Sequence, residues 1–236
     1  MKTIDENIDI NYLSNNDTIS IPQEKTNISK KRIEKVLKRI IDIIGGFIGT
    51  LVLIPLTIMI YIANLIAKDK GPVFYKQKRI GKDGKVFLMY KYRSMVVDAD
   101  KKLNKYLREN KEARKEYGKY KKLKDDPRIT KVGEFIRKTS IDEFPQFINV
   151  LKGDMSLVGP RPYLRREKRD MGKYYDYIVS VKPGITGYWQ VNGRSQTDFE
   201  ERITMDVAYV HDQTLWSDIK FIIKTVLNIF RKEGAV

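Results

Sequence analysis

The sequence predicts an α/β protein, mostly helical with a small sheet. A re-entrant helix–break–helix membrane anchor leads into a domain with interfacial amphipathic helices. Three observations predict it. An uncharged run over residues 43–67 carries Pro55 close to its middle. An Asp-Gly pair separates two short strand-like runs within residues 73–95. Charged or basic stretches with helical spacing occupy residues 98–124 and 215–230.

Composition sets the limits. A chain of 236 residues, 42% hydrophobic and 11% aromatic, can bury the core of one ordinary domain. The formal net charge of +16 makes a field that attracts phosphates, so nucleic acid, anionic lipid and nucleotides all fit it. With no cysteine, disulfides and Cys-ligated zinc or iron–sulfur sites are excluded. His211 is the single histidine, so carboxylates, lysines and arginines must carry any active site. In Tyr209-Val210-His211-Asp212 that histidine reads as structural rather than as a ligand. Residues 1–29 hold two basic and five acidic residues, with much Asn, Ser and Thr and no sustained period. They read as a flexible tail without the order of a signal peptide.

The anchor comes next. Lys30, Lys31, Arg32, Lys35, Lys38 and Arg39 precede the uncharged run, and Lys68 and Lys70 follow it. Its 25 residues are long enough for a hydrocarbon core of ~30 Å. A core helix of a soluble protein is the alternative, but such a helix usually shows a polar stripe. Basic residues at both ends allow both to face the cytoplasm. Pro55 removes a backbone donor and bends a helix. Re-entry by the same face is therefore preferred to a crossing, with Thr50 or Thr57 available to the carbonyls freed at the bend. The chain divides into a tail (1–29), a basic-flanked anchor (30–70) and a cytoplasmic domain (71–236).

Within that domain, Lys82-Asp83-Gly84-Lys85 reads as a hairpin turn. Lys76, Lys78, Arg79, Lys91 and Arg93 alternate with apolar residues around it, giving either a solvated basic strand or a cationic binding face. Residues 98–124 form a helical, Lys/Glu-rich stretch, solvated or resting on anionic headgroups. The basic, aromatic-bearing stretch 215–230 suits an interfacial helix or a core helix equally.

Ser140 with Glu143 three residues on has the form of a capping box, which would begin a helix and put Asp142 and Glu143 in its first turn. Alone, that needs no function. Its company changes the weight. Arg137 precedes it, and Gly159-Pro160-Arg161-Pro162, Lys182-Pro183-Gly184 and Asn192-Gly193-Arg194 are stiff turns bearing cations. Rigidly held arginines suit phosphate oxygens, which the planar fork binds bidentately.

Across residues 32–230 the chain resembles the bacterial sugar transferases, the small monotopic phosphoglycosyl transferases. The matching text is KRIIDII, RIGKDGKVFLMYKYRSM, DDPRITKVGEFIRKTSIDEFPQFINVLKGDMSLVGPRP, VKPGITGYWQVNGR and DVAYV. The resemblance implies an enzyme moving a sugar-1-phosphate from a UDP-sugar to a polyprenyl phosphate, undecaprenyl phosphate, with release of UMP. It implies a re-entrant anchor broken at Pro55, Asp142 as nucleophile and Glu143 as ligand of Mg2+. Lys91, Arg137, Arg161 and Arg194 are the matching basic positions around nucleotide and phosphates. It also implies residence on an anionic bilayer, the bacterial inner membrane, with the catalytic domain on the cytoplasmic face of a glycan assembly pathway. Ile54 stands where small members often carry Ser before the break proline, a departure that touches how the kink is satisfied. A homodimer is compatible with the sequence. Two rivals share the charge: a membrane-anchored nucleic-acid binder, for which no recognition motif is present, and a phosphate-binding partner whose Asp-Glu pair only caps a helix.

Overall fold

In the computed structural model, residues 28–120, 123–192 and 197–231 are described. The expected tail lies outside them, except that residues 28 and 29 open the first helix. Helix α1 runs unbroken over Ile28–Ile66 with Pro55 inside it. The hairpin β1 (Phe74–Ile80) and β2 (Val86–Tyr92) follows, then α2 (Ala99–Glu109), α3 (Lys111–Tyr120) and α4 (Lys131–Lys138). After a 3-10 turn at Ile141–Glu143 come α5 (Gln146–Lys152) and β3 (Ser156–Val158). Two short helices, α6 (Lys168–Met171) and α7 (Tyr175–Ile178), lead to β4 (Gly184–Thr186). The chain closes with α8 (Tyr188–Asn192), α9 (Phe199–His211) and α10 (Leu215–Arg231). The described part is mostly helical with little sheet.

One face of α1 is bound to the domain. Leu53 and Ile60, seven residues apart, are buried against Tyr92 and Ile136. Glycines let the helix settle onto α5 and β3: a Cβ on Gly45 would stand 2.6 Å from Leu157 Cδ1, and one on Gly49 would collide with the Phe147 ring. The opposite face leaves Ile44, Phe47, Ile48, Leu51, Ile54 and Ile58 exposed. This helix is long and apolar enough to cross a membrane. Polar ties hold both of its ends. Before the run, Lys38 Nζ donates to Asp218 Oδ2 at 2.6 Å, Arg39 donates to the carbonyls of Val150 and Leu151, and Asp42 Oδ1 accepts from Ser156 Oγ and Leu157 N. Beyond it, Asp69 pairs with Arg93 at 2.9 Å. Near the proline, neither expected threonine is bonded to a freed carbonyl. Tyr92 Oη donates to the Leu53 carbonyl and meets Thr57 Oγ1 at 2.7 Å, while the buried Thr50 hydroxyl has no partner among the described residues.

The hairpin turns where Asp-Gly predicts, with Asp83 and Gly84 both at positive φ (56° and 73°). Its antiparallel register runs from Phe74↔Tyr92 to Ile80↔Val86. The free edge of β2 is closed by a side chain: Asn149 Oδ1 accepts from Tyr90 N at 3.0 Å and its Nδ2 donates to Leu88 O at 2.8 Å. Met89, Val150 and Met155 fill the space between hairpin and α5. Strands β3 and β4 pair in parallel, Ser156↔Gly184 and Val158↔Thr186.

The helical stretch 98–124 holds two helices. Asn110, extended at φ −123°, ends α2, and its Oδ1 accepts from Ala113 N to start α3. The pair keeps a small core of its own, Leu103, Ala113 and Leu123. The last helix is packed on one side and open on the other. On α10, Phe221 packs edge-on to Tyr188 and Asp218 is buried, while Trp216, Ile223, Val226 and Leu227 face outward.

Candidate active site

Helix α4 is started by Thr130, whose side chain accepts from Gly133 N at 2.9 Å, and it stops at Lys138. Ser140 then adopts a left-handed φ of 56°, and Ile141–Glu143 make a single 3-10 turn ahead of Pro145. The expected capping box does not form. An N-cap needs an extended backbone, which Ser140 lacks, and the Glu143 carboxylate is engaged elsewhere. Helix α5 begins only at Gln146. The carboxylate pair therefore occupies a turn between two helices instead of a helix's first turn.

Strand β2 supplies the cation. Lys91 Nζ lies 2.7 Å from Glu143 Oε1 and 4.0 Å from Asp142 Oδ2. Asn149 bonds the β2 backbone at Leu88 and Tyr90, and it sits on the helix that follows the carboxylate turn. Strand and turn are thus held in register by one residue. Burial pushes the Asp142 carboxyl up to about 6, Lys91 pulling against it, Glu143 adding to it and Arg137 opposing it. Asp142 is still largely ionised at neutral pH and more basic than an ordinary aspartate. Glu143 moves the other way. Burial works to raise it, but Lys91, Arg161 and Arg79 hold it below the usual carboxylate range.

The Gly-Pro-Arg-Pro segment is fixed through its backbone. Gly159 N donates to Thr186 O and Gly184 N donates to Pro160 O, both at 2.9 Å. Arg161 N donates to Asp206 Oδ2 at 3.1 Å, and Tyr163 Oη donates to the same oxygen at 2.7 Å. The Arg161 guanidinium lies 5.6 Å from the Trp189 ring centre. Burial raises the Asp206 carboxyl to about 7, with Tyr163 and Arg161 opposing.

Of the residues expected from sequence, Lys91, Asp142 and Glu143 meet directly. Arg137 acts on Asp142 and Arg161 on Glu143 through their charges. Arg194 lies outside the described residues. His211 is exposed on α9, its Nδ1 2.6 Å from Asp212 Oδ1. Arg79 is a site residue that the sequence reading left among the basic strand positions. It is buried, donates to Gln77 Oε1 and to Pro162 O, and is pushed down to about 10 by burial and then by Arg161. Alternation places it on the hairpin face that Lys91 shares, which was the available signal.

Among the described residues, no three acidic, His or Cys side chains gather as a metal cage. A hard cation such as magnesium needs less from the protein, since substrate phosphates and water supply most of its oxygens. Asp142 and Glu143 fit that kind of site, with Lys91 as the present neighbour of Glu143.

The chain matches the family described as bacterial sugar transferase over residues 33–232. It is 46% identical over 205 residues to the undecaprenyl-phosphate galactose phosphotransferase of Salmonella typhimurium, covering 87% of this chain and 43% of that protein. It is 38% identical over 211 residues to the UDP-glucose:undecaprenyl-phosphate glucose-1-phosphate transferase of Escherichia coli, with coverage of 86% and 42%. The exopolysaccharide production protein ExoY of Rhizobium meliloti is 34% identical over 215 residues, 91% of this chain and 94% of its own length. The chain spans less than half the length of the first two relatives.

Proposed function

The chain belongs to the bacterial sugar transferase family, and on that premise we propose that it transfers a sugar-1-phosphate from a UDP-sugar to undecaprenyl phosphate. The observation that carries this reading is the division of labour in the carboxylate pair. Lys91 engages Glu143 at 2.7 Å and stays 4.0 Å from Asp142, leaving a basic, mostly ionised carboxylate to act as nucleophile.

An Asp142 carboxylate oxygen attacks the phosphorus that bears the sugar. The bond from that phosphorus to the bridging oxygen breaks, and UMP departs with the electron pair. A phosphate oxygen of the polyprenyl phosphate then attacks the same phosphorus, forming the lipid diphosphate sugar and returning the Asp142 carboxylate. Neither nucleophile needs a general base at neutral pH, which suits a chain with one exposed histidine. Lys91, Arg137 and Arg161 offset the charge on the phosphoryl oxygens, and Arg194 joins them in this reading. Glu143 would hold magnesium with the diphosphate, and the ion would offset charge on the leaving phosphate.

The acceptor is a membrane lipid, so the nucleophile must lie at headgroup height. The outward apolar faces of α1 and α10 and the basic surplus support seating on an anionic bilayer. Both ends of the apolar run are tied to one domain, which supports both ends staying on the cytoplasmic face rather than a crossing, although the helix between them is unbroken at Pro55. UMP release by the full chain, measured over a panel of UDP-sugars with undecaprenyl phosphate, tests the reaction. Release that needs Asp142 supports it, and full release by Asp142→Asn contradicts it.

A further inference from the structure

Beyond the carboxylate turn, a second group of charges is built around one indole. Trp189 on α8 has two guanidinium groups within cation–π range, Arg161 at 5.6 Å and Arg202 of α9 at 5.3 Å from its ring centre. Arg202 is anchored by Nε to Thr197 Oγ1 at 3.3 Å and by Nη2 to Thr197 O at 2.7 Å. Among the described residues, neither guanidinium is in an ion pair with a carboxylate. The nearby acid, Asp206, spends one oxygen on Arg161 N and Tyr163 Oη. Among the described residues, its other oxygen and the indole Nε1 are buried without a hydrogen-bond partner. Two half-buried cations gathered around one indole repel each other, and the downward push of burial and of Arg161 on Arg202 expresses that cost. An anion between them removes it.

We propose that Arg161 and Arg202, gathered on Trp189, form a two-guanidinium clamp for one phosphate group, with Trp189 as the residue that positions both. This rests on the transferase reading above and adds Arg202 and Trp189 to it. The clamp's place identifies the phosphate. Arg161 acts on Glu143 on one side and shares the indole with Arg202 on the other, so the clamp extends away from the nucleophile. It takes the phosphate on the nucleotide side of the bond that breaks, the one that leaves as UMP. Planar guanidinium forks suit such an oxyanion better than lysines would.

The chain has two tryptophans, so Trp216→Phe leaves Trp189 as the only indole in the full-length protein. Its emission is titrated with UDP and, separately, with uridine. The clamp predicts a saturable change with UDP and none with uridine. Adding Arg202→Gln should raise the half-saturating UDP concentration about ten-fold or more. Emission that stays flat at UDP concentrations that inhibit turnover overturns the clamp, as does an Arg202→Gln protein that titrates like its parent. If the Gln variant loses its fold, Arg202→Lys replaces it, and a parent-like titration of that variant also counts against the clamp. UMP release by the wild-type chain is measured alongside. Its absence with every UDP-sugar removes the transferase reading and the clamp together, whereas release with flat emission removes the clamp alone.

Discussion

Asp206 holds an acid where solvent does not reach it, and burial lifts its carboxyl to about 7 from an unfolded value near 3.8. The folded chain therefore keeps a proton that the unfolded chain releases. The stabilisation from this group is fully present below the unfolded pKa and is lost as pH rises through about 7. Wild-type stability in denaturant should thus fall between pH 5 and pH 7.5, and Asp206→Asn should flatten that slope by about 1 kcal/mol or more. Parallel slopes in the two proteins would assign the pH response to other groups. At the carboxylate pair, Glu143→Gln should lower turnover on the order of 10²-fold and weaken its magnesium dependence. An unchanged magnesium response counts against Glu143 as ligand. The pair itself was legible in the sequence, as was Arg161 on its stiff segment. The role of Ser140 was not, because S-x-x-E describes a local cap while Glu143 is claimed by Lys91, 52 residues away. Trp189 and Arg202 were equally hidden, since nothing in either's neighbourhood shows that they converge on Arg161.

At the scale of elements, the connection between α5 and β2 decides where the site's cation stands. Asn149 satisfies Leu88 O and Tyr90 N at once, next to Lys91. Asn149→Ala leaves both partly buried backbone groups without this partner, a loss of about 1 kcal/mol for each. Thermal unfolding should show the destabilisation, and activity should drop further than stability accounts for because Lys91 loses its register. An activity loss that matches the folded fraction would make Asn149 structural only. The hairpin turn was readable because Asp-Gly acts locally. The helical character of residues 98–124 was readable, but the place of the break at Asn110 was not, since Lys/Glu-rich text continues past it and only the bond to Ala113 N marks the new start. Near Pro55 the helix is likewise bonded from a distant strand, by Tyr92 to the Leu53 carbonyl and to Thr57, which no local pattern shows.

For the whole molecule, the central arrangement is an apolar helix lying along the domain that carries the candidate site. Lys38, Arg39 and Asp42 tie its entry, Asp69 ties its exit, and Leu53 and Ile60 are buried between. The length of the run was plain in the sequence, but its contacts were not, since glycines at 45, 46 and 49 gain meaning only against Leu157, Leu151 and Phe147. The chain lacks cysteine, so Lys35→Cys and Lys70→Cys each supply one label site on an exposed flank. A membrane-impermeant maleimide should reach both from the cytoplasmic side of the bilayer. Labelling from opposite sides would establish a crossing instead. The central claim is the covalent step, and the mass of the intact protein tests it most directly. Incubated with its UDP-sugar and no lipid acceptor, the wild-type chain should gain one phosphosugar, mapped to Asp142 and lost on adding undecaprenyl phosphate. A chain that releases UMP to the acceptor while its mass never changes, or whose adduct persists in Asp142→Asn, would contradict it.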